Sequence, residues 1–376
     1  MFDLFVDVII LIPKYVHQLM TSTATIPDIA RHAGVSTATV DRVLNGRPGV
    51  NDTTVQKVIQ AVAALGQPTV LRGRPRARDN LRFAYLLPDD DVPFFNQVER
   101  QIAQAAGDFR HQHITEITHR FNGEDPAEFA ASLAQVSDCD GIALIAPDLP
   151  AVKLAINEQV RKGVHVVTLF SDVAGSMREA YVGVDNRAAG RTAALLLARM
   201  ACDPQRDTLL LVACDPQRDT LLLVSPVTRM SAEIERRIGF VQVIEERFSR
   251  LRVLRSTDLP LDEEEAYLAL TQFLRNEADA ARLGGVYCVG SSSAGVIRAL
   301  EEVLGAGHMP GVIAHGVTDL NQSLLVGDKL AYLLHQDIHY CVMTAAKVLH
   351  ALCENVRGAL NVVQPRVEIL TAENLH

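Results

Sequence analysis

The chain carries two successive patterns of hydrophobic and polar positions. Over residues 25–66, apolar side chains recur at the three- and four-residue spacing of amphipathic helices, which predicts three short helices. From Leu81 onwards, short apolar runs alternate with longer amphipathic stretches. Such an alternation predicts parallel β-sheets covered by helices on both faces. The sequence therefore predicts a small all-α domain followed by a larger α/β domain.

The three short helices are predicted to form a helix-turn-helix. The first ends near His32, and Gly34 in the tight turn that follows can take a positive φ. Ser36 is a good N-cap for a second helix that runs through Leu44, and a third helix buries apolar positions within 55–65. A helix, a three-residue turn and a second helix have the geometry that places the second helix in the major groove of DNA.

Polar side chains of the second helix point away from its predicted apolar face, which comprises Val40, Val43 and Leu44. Arg42 can pair bidentately with guanine, and the hydroxyl and amide groups nearby can reach phosphates or base edges. The alternative is a generic helical hairpin with a polar surface. The candidate DNA-contacting positions on and beside this helix are Ser36, Thr37, Ala38, Thr39, Arg42 and Asn45.

The charge distribution favours the DNA-reading interpretation. The chain of 376 residues has a formal net charge of −9, but residues 21–80 hold eight Arg or Lys against four Asp. The acidic excess therefore lies after residue 80. A basic amino-terminal module joined to an acidic body is typical of a protein that binds a polyanion through one part only.

A continuous motif occupies residues 30–45: Ala-x-x-Ala-Gly-Val-Ser-x-x-Thr-Val-x-Arg-Val-Leu-Asn. It closely resembles the DNA-binding domain of the LacI family of bacterial repressors. The resemblance implies operator contacts at Thr25 and at the six positions given above. Ala38 and Asp41 are unusual choices for such contacts, because alanine offers only a methyl group and aspartate repels phosphate.

Residues 67–80 read as a linker with four arginines. Members of the resembled family follow the third helix with a short hinge helix whose leucine enters the minor groove. Gly73 and Pro75 disfavour a helix here. We expect Arg72 and Arg74 to supply positive charge to phosphates or to the minor groove instead. A plain solvated linker is the alternative.

The segment after residue 80 resembles the type I periplasmic-binding fold, which serves as the effector domain of LacI-family regulators. The resemblance implies two lobes with parallel sheets, joined by three crossovers around a central cleft. We expect the lobes at about 81–205 plus 336–356, and 206–335 plus 357–376. The supporting strings are Val92-Pro93-Phe94-Phe95, Val182-Gly183-Val184-Asp185-Asn186, Arg236-Arg237-Ile238-Gly239-Phe240 and His335-Gln336-Asp337.

The same resemblance implies ligand-binding residues. Phe94 and Phe95 would stack on the C–H surface of a sugar ring, and Arg236 would donate a fork of hydrogen bonds. Gln336 would bond to the ligand from the hinge side. Two alternatives stay open: the phenylalanines form an inward stripe of their helix, and Asp185 caps the helix that follows. Further candidates are Ser171, Asp172, Asp185 and Ser293.

The sequence departs from sugar-binding relatives at two loops. Those relatives carry acidic residues after the strands that end near Val289 and Ala314. Here the loops read Gly290-Ser291-Ser292-Ser293 and His315-Gly316-Val317. A sugar or sugar-like molecule is still the expected effector, but because these carboxylates are missing, a polyol, a modified sugar and a sugar acid are alternatives.

No cofactor and no metal site is predicted. The six cysteines include no Cys-x-x-Cys pair, and no histidines have a recognised ligand spacing. Residues 290–294 nearly match the nucleophile elbow of serine hydrolases, but Ala294 stands where the second glycine belongs. We therefore expect no enzyme activity, and a serine-type hydrolase is kept as an alternative.

Residues 201–212 and 213–224 have the same sequence, Ala-Cys-Asp-Pro-Gln-Arg-Asp-Thr-Leu-Leu-Leu-Val. A single repeat of this length indicates an in-frame duplication rather than a solenoid. One sheet position holds only one Leu-Leu-Leu-Val run. The second copy leads into the helix of Arg236 and is predicted to be the core strand.

Together these features predict a DNA-binding transcriptional regulator that is controlled by a small ligand and binds double-stranded operator DNA as a homodimer. Residues 1–20 are an expected extension outside the fold, before a DNA-binding domain at 21–66, the linker at 67–80 and an effector-binding domain at 81–376. The apolar run at 8–12 is too short for a membrane span and lacks the flanks of a secretory signal. We therefore expect a cytoplasmic protein with no membrane partner, with an exported solute-binding protein as the alternative.

Overall fold

A computed structural model of the chain describes residues 26–44, 50–65, 80–89, 92–108, 113–122, 125–201, 218–226, 228–290, 292–354 and 362–375. Its contacts divide the chain between Asp79 and Asn80 into two compact units. No helix within these described ranges is both long enough and apolar enough to cross a membrane.

Three helices lie in the part of the first unit that the structure describes. They are α1 (Ile26–Ala33), α2 (Thr37–Leu44) and α3 (Asp52–Ala64). Gly34 in the turn has a φ of +65°, and the Oγ of Ser36 accepts a hydrogen bond from the backbone N–H of Thr39 at 3.1 Å. The predicted helices, the positive φ and the cap are therefore confirmed. The core they share contains Ile29, Ala30, Val40, Val43, Val58 and Ala61.

The second unit begins with a five-stranded parallel sheet, the centre of what we call lobe 1. Its strands are β1 (Leu81–Pro88), β2 (Ile114–Phe121), β3 (Gly141–Leu144), β4 (His165–Leu169) and β5 (Ala180–Val182). They lie in the order β2-β1-β3-β4-β5. The helices between them are α4 (Pro93–Asp108), α5 (Pro126–Gln135) and α6 (Pro150–Arg161). Buried cores fill both faces of this sheet.

A six-stranded sheet forms the centre of lobe 2. Its strands are β6 (Thr220–Pro226), β7 (Arg252–Leu259), β8 (Leu283–Cys288), β9 (Gly311–His315), β10 (Tyr332–His335) and β11 (Glu368–Leu370), in the order β11-β10-β9-β8-β6-β7. Among the described strands of this sheet, β11 alone pairs antiparallel. The helices of lobe 2 are α7 (Asn186–Met200), α8 (Ser231–Arg247), α9 (Glu263–Asn276), α10 (Ser293–Leu304) and α11 (Asp319–Val326), with short 3-10 turns at Ala280–Arg282 and Ala306–His308. Helix α12 (Ile338–Cys353) follows β10.

The first boundary between the lobes lies earlier than the sequence predicted. Helix α7 was assigned to lobe 1 by the expected boundary near 205, and this assignment is wrong. Its apolar face packs against Leu221 and Phe240 of lobe 2 through Ala193 and Leu197. The chain therefore crosses between the lobes directly after β5. Helix α12 follows β10 of lobe 2 and packs on lobe 1, as expected.

The second copy of the twelve-residue repeat forms strand β6, which confirms the prediction. Leu221, Leu222 and Leu223 are at most 1% exposed and pair with strands on both sides. Residues 202–217, which include nearly all of the first copy, lie outside the described residues.

Candidate functional site

A cleft of about 630 Å³ lies in the second unit between lobe 1 and lobe 2. Residues at or just beyond the carboxyl ends of the strands line it on both sides, which is where ligands bind in open parallel sheets. Six of the eight predicted ligand-binding residues lie in this cleft: Phe94, Phe95, Ser171, Arg236, Ser293 and Gln336.

The wall from lobe 1 is aromatic. Phe94 and Phe95 start helix α4, and their ring centroids are 5.5 Å apart in an edge-to-face arrangement. Phe94 also lies edge-on to Phe170, with centroids 5.2 Å apart. Both rings of α4 also pack against the lobe 1 core. The inward-stripe and ligand-facing interpretations are therefore compatible.

Arg236 projects from α8 and is 9% exposed. Its Nε donates to Oδ1 of Asn186 at 2.9 Å, and its Nη1 donates to the backbone carbonyl of Val289 at 3.1 Å. Asn186 in turn donates to the carbonyl of Phe170 at 3.1 Å. These bonds fix the guanidinium at the point where the chain passes between the lobes, and its other donors are available to a ligand in the cleft.

Gln336 contributes a buried hydrogen-bonding group without a partner. The side chain is 9% exposed, and its Oε1 atom makes no hydrogen bond with the described residues. Nδ1 of the neighbouring His335, which also lines the cleft, is unpaired in the same sense. A buried acceptor left unpaired costs about 1–3 kcal/mol. A ligand hydroxyl in the cleft would remove that cost.

Ser293 lies at the start of α10 and is held by protein groups. Its Oγ donates to Oδ1 of Asn321, whose Nδ2 donates to the carbonyls of His315 and Gly316, both at 3.0 Å. Nε2 of His315 pairs with the hydroxyl of Tyr287 at 2.6 Å.

In the near-match to the nucleophile elbow the central serine is Ser292, and its Oγ donates to the carbonyl oxygens of Pro260 at 3.1 Å and Leu261 at 2.7 Å. The described residues therefore do not place a histidine base on Ser292, as a serine hydrolase requires.

Asp172 and Asp185 do not line this cleft. Asp172 forms an ion pair with Arg178 and accepts a hydrogen bond from the Oγ1 of Thr168 at 2.8 Å. Asp185 caps α7 by accepting from the backbone N–H of Ala188 at 2.8 Å, in agreement with the capping alternative. Both line a separate cavity of about 210 Å³. Ser171 does reach the cleft, and its Oγ lies 3.1 Å from Oγ of Ser231 in lobe 2.

Sequence reasoning missed three carboxylates in the cleft: Glu233 of α8, Asp258 of β7 and Glu263 of α9. Glu233 lies one helical turn before Arg236, and this spacing is the one sequence signal for it. Glu263 accepts a hydrogen bond from the backbone N–H of Gly295 at 2.6 Å, and burial raises the pKa of its carboxyl.

Both histidines of the cleft are neutral near pH 7. Burial, together with the positive charge of Arg236, holds the pKa of His315 well below its ordinary value. Burial also lowers the pKa of His335. The full charges that face the cleft therefore come from carboxylates and arginines.

The outer face of α2 is accessible. Ser36, Thr37, Ala38 and Arg42 are exposed and Thr39 is half-buried, whereas Val40 and Val43 face the core. The Oγ of Ser36 and the Oγ1 of Thr39 are 2.8 Å apart. The other predicted DNA-contacting residues lie outside the described residues: Thr25, Asn45, Arg72 and Arg74.

The fold and the cleft define a two-lobed ligand-binding domain that follows a helix-turn-helix domain. Residues 83–356 match the periplasmic binding protein domain, and residues 25–67 match the bacterial regulatory proteins of the lacI family. The chain belongs to the periplasmic binding protein domain family and carries a lacI-family domain ahead of it.

Two curated relatives match part of the chain. The regulator MalR of Streptomyces coelicolor is 42% identical over 83 residues, which are 22% of this chain and 24% of MalR. The ribose operon repressor of Bacillus subtilis is 42% identical over 78 residues, 20% of this chain and 24% of the repressor. The match thus spans about a quarter of the length of these relatives.

Solved structures resemble the second unit in fold. GanP, a glucose-galactose binding protein from Geobacillus stearothermophilus, superposes with a TM-score of 0.66 at 18% identity, over 79% of this chain and 99% of GanP. A periplasmic ribose ABC transporter protein from Conexibacter woesei gives a TM-score of 0.62 at 19% identity, over 78% and 93% of the two chains.

Proposed function

We propose that this protein is a ligand-controlled transcriptional regulator in which α2 enters the major groove of double-stranded operator DNA. The observation that carries the proposal is the accessible polar face of α2. Thr37 and Arg42 are exposed there, while Val40 and Val43 hold the opposite face in the core. The match of residues 25–67 to lacI-family regulatory proteins supports the same role.

The proposed effector is a small sugar-like molecule bound in the cleft. The aromatic wall of Phe94 and Phe95, the fixed guanidinium of Arg236 and the unpaired Oε1 of Gln336 support this assignment. Relatives named as a ribose operon repressor and as a glucose-galactose binding protein point to the same class of ligand. Ser171 and Ser293 complete the proposed site, while the positions of Asp172 and Asp185 outside the cleft do not support a role for them.

The regulator is proposed to act as a homodimer, because a single short helix makes too few base contacts for useful specificity. Effector binding between the lobes would change the spacing of the two α2 helices through a coupling of about 1–3 kcal/mol. In this proposal residues 21–66 bind DNA, the linker at 67–80 brings Arg72 and Arg74 to the phosphates or the minor groove, and 81–376 bind the effector. The protein is proposed to act in the cytoplasm, where its DNA is.

The test selects a binding site from random duplexes and then measures affinity by gel shift. We expect Arg42→Ala to weaken binding by about 1–3 kcal/mol, roughly 5- to 150-fold, since one bidentate arginine–guanine pair is lost. Arg161→Ala is the control, because Arg161 is an exposed arginine of the second unit. Unchanged affinity of the Arg42 variant, or no selectable duplex at all, would overturn the assignment.

A further inference from the structure

The two walls of the cleft differ in charge. Lobe 1 lines it with apolar and aromatic side chains and Ser171, and no charged side chain of lobe 1 is found among the described lining residues. Lobe 2 contributes every charged side chain of the described lining: Arg229, Glu233, Arg236, Asp258 and Glu263. With three carboxylates against two guanidiniums and two neutral histidines, the polar wall is acidic rather than basic.

One carboxylate occupies space that a glycine leaves open. A Cβ atom at Gly290 would lie 2.9 Å from Oε1 of Glu233 and 3.0 Å from the ring of Pro226. The φ of Gly290 is not in the left-handed region, so its backbone conformation does not itself require glycine. The small residue therefore matters sterically: it allows the carboxylate of Glu233, carried by α8, to lie against the loop after β8.

A second carboxylate removes the usual binding place for an anion. The N-terminus of α10 faces the cleft through Ser292 and Ser293, and free backbone N–H groups at such a terminus attract anions. Here the carboxylate of Glu263 already accepts from the N–H of Gly295. An anionic ligand would therefore meet a filled helix terminus and the negative charge of Asp258.

An independent observation indicates a ligand with hydrogen-bond donors. Gln336 lines the cleft, and its Oε1 is buried and lacks a donor among the described residues. Hydroxyl groups can donate to this oxygen and to a carboxylate while they accept from Arg236. A carboxylate or a phosphate group can only accept.

We propose that the effector is an uncharged polyhydroxylated molecule and that Glu233 determines its specificity by accepting hydroxyl hydrogens beside Gly290. Sugar acids and sugar phosphates are excluded by the same wall. This inference rests on the proposed function of the cleft as the effector site. Glu233 thereby supplies the carboxylate that the loop after β8 lacks.

The first experiment measures thermal shifts and calorimetric affinities of the full chain with defined probes: D-glucose, D-ribose, sorbitol, gluconate, glucose 6-phosphate and glucosamine. We expect at least one of the three uncharged probes to bind and the two anionic probes not to bind. Binding of charged probes alone overturns the inference. If no probe binds while operator binding persists, the effector role of the cleft fails and the inference fails with it.

The second experiment compares Glu233→Gln with Glu245→Gln, an exposed carboxylate farther along the same helix. Glu233→Gln loses a charged hydrogen-bond acceptor and should bind the uncharged probe about 10- to 100-fold more weakly, whereas Glu245→Gln should keep the wild-type affinity. Gly290→Ala should displace the Glu233 carboxylate and weaken binding too, with little further loss when combined with Glu233→Gln. Melting temperatures without ligand verify that each variant folds. Wild-type affinity of folded Glu233→Gln overturns the role of Glu233 and leaves the proposed function intact.

Discussion

Gly190 of α7 lies directly against the backbone carbonyl of Arg236 in α8. A Cβ atom at position 190 would come within 1.9 Å of that carbonyl oxygen. The contact is reciprocal, because a Cβ at Gly239 of α8 would lie 2.1 Å from the carbonyl oxygen of Arg187 in α7. The two helices thus approach backbone to backbone, and this packing holds Arg236 at the cleft.

Gly190→Ala is expected to destabilise the protein and to weaken effector binding. The added methyl group cannot fit beside the Arg236 carbonyl, so the helices must separate. Overpacking of this kind costs about 1–3 kcal/mol or more. Urea unfolding measures the loss of unfolding free energy. Calorimetry measures the affinity for a sugar that binds the wild type, which should fall if Arg236 is displaced. Gly307→Ala is the control, since no heavy atom lies within 4 Å of a Cβ there. Equal stability of the two variants would contradict the contact.

The strands at the centres of the sheets were predictable from sequence, whereas three of the four described edge strands were not. The apolar runs predicted β1 at 81–87 and β4 at His165–Leu169, against observed bounds of Leu81–Pro88 and His165–Leu169. Strands β2, β7 and β11 were missed. All three lie at sheet edges and mix exposed with partly buried positions, so they carry no continuous apolar run.

The candidate cleft was predictable only where a family resemblance or local spacing pointed to it. Phe95 and Gln336 stand in such strings, and the structure places both in the cleft. The fold of lobe 2 brings Asp258 and Glu263 to the cleft. Nothing in the sequence around these two residues predicts that they line a ligand-binding site. The boundary after β5 was misplaced because the apolar face of α7 fits either sheet by pattern alone, and tertiary packing decides between them.

The duplication offers a matched pair of leucines. Leu222 in the second copy is fully buried in β6, and Leu210 is its counterpart in the first copy. Leu222→Ala is expected to cost about 2–5 kcal/mol of unfolding free energy, because it opens a cavity in the sheet core. Leu210→Ala should leave stability unchanged, since β6 already fills the only strand position. Chemical denaturation of both variants decides, and a similar loss at Leu210 would contradict the assignment.

Removing one copy of the repeat is expected to preserve or raise stability. A Cβ at Gly284 would lie 2.9 Å from Cβ of Ala201 and 2.8 Å from the carbonyl oxygen of Arg218, so the two residues that flank 202–217 lie close together. Deletion of 202–213 leaves four residues to connect them, which is ample reach. Shortening the connection between Ala201 and Arg218 fourfold should raise the free energy of unfolding by about 1 kcal/mol, because a shorter connection costs less closure entropy. Calorimetric melting of the deletion variant tests this, and a lower melting temperature would refute it.

Glu116 on β2 should make the stability of the protein decrease as the pH rises. Its Oε1 accepts from the hydroxyl of Tyr85 at 2.9 Å, while Oε2 is buried without a partner among the described residues, and burial raises the pKa of this carboxyl. The folded state therefore holds the proton more tightly than the unfolded state. The stability contributed by Glu116 is complete below the ordinary pKa of 4.5 and is lost as pH rises through the raised pKa.

The variant Glu116→Gln keeps an acceptor for Tyr85 and cannot ionise. We expect this variant to be at least as stable as the wild type at pH 7. Its unfolding free energy should not show the decrease above pH 4.5 that ionisation of Glu116 causes in the wild type. Unfolding free energies measured across a pH series provide the test. Glu128→Gln is the control, because Glu128 is exposed on α5. Identical pH profiles of wild type and Glu116→Gln would count against a buried carboxyl at this position.

Gln97 on α4 of lobe 1 forms a latch to lobe 2. Its Nε2 donates to the backbone carbonyl of Val317 at 2.6 Å, and it does not line the effector cleft. A bond that joins the lobes outside the site acts on the equilibrium between open and closed cleft rather than on the ligand itself. Gln97→Ala should therefore enlarge the radius of gyration of the unliganded protein in solution scattering. The same variant should also weaken effector binding by about 0.5–1.5 kcal/mol, which lowers the affinity by a factor of roughly 2 to 10.

Gln101 supplies the control for this latch. It lies one turn later on the same helix and pairs with His339 of α12 at 3.1 Å, so both partners belong to lobe 1. Gln101→Ala removes a glutamine hydrogen bond without touching the contact between the lobes, and we expect it to leave the radius of gyration and the effector affinity unchanged. If both variants change affinity equally, the effect comes from helix α4 itself and the latch does not control closure.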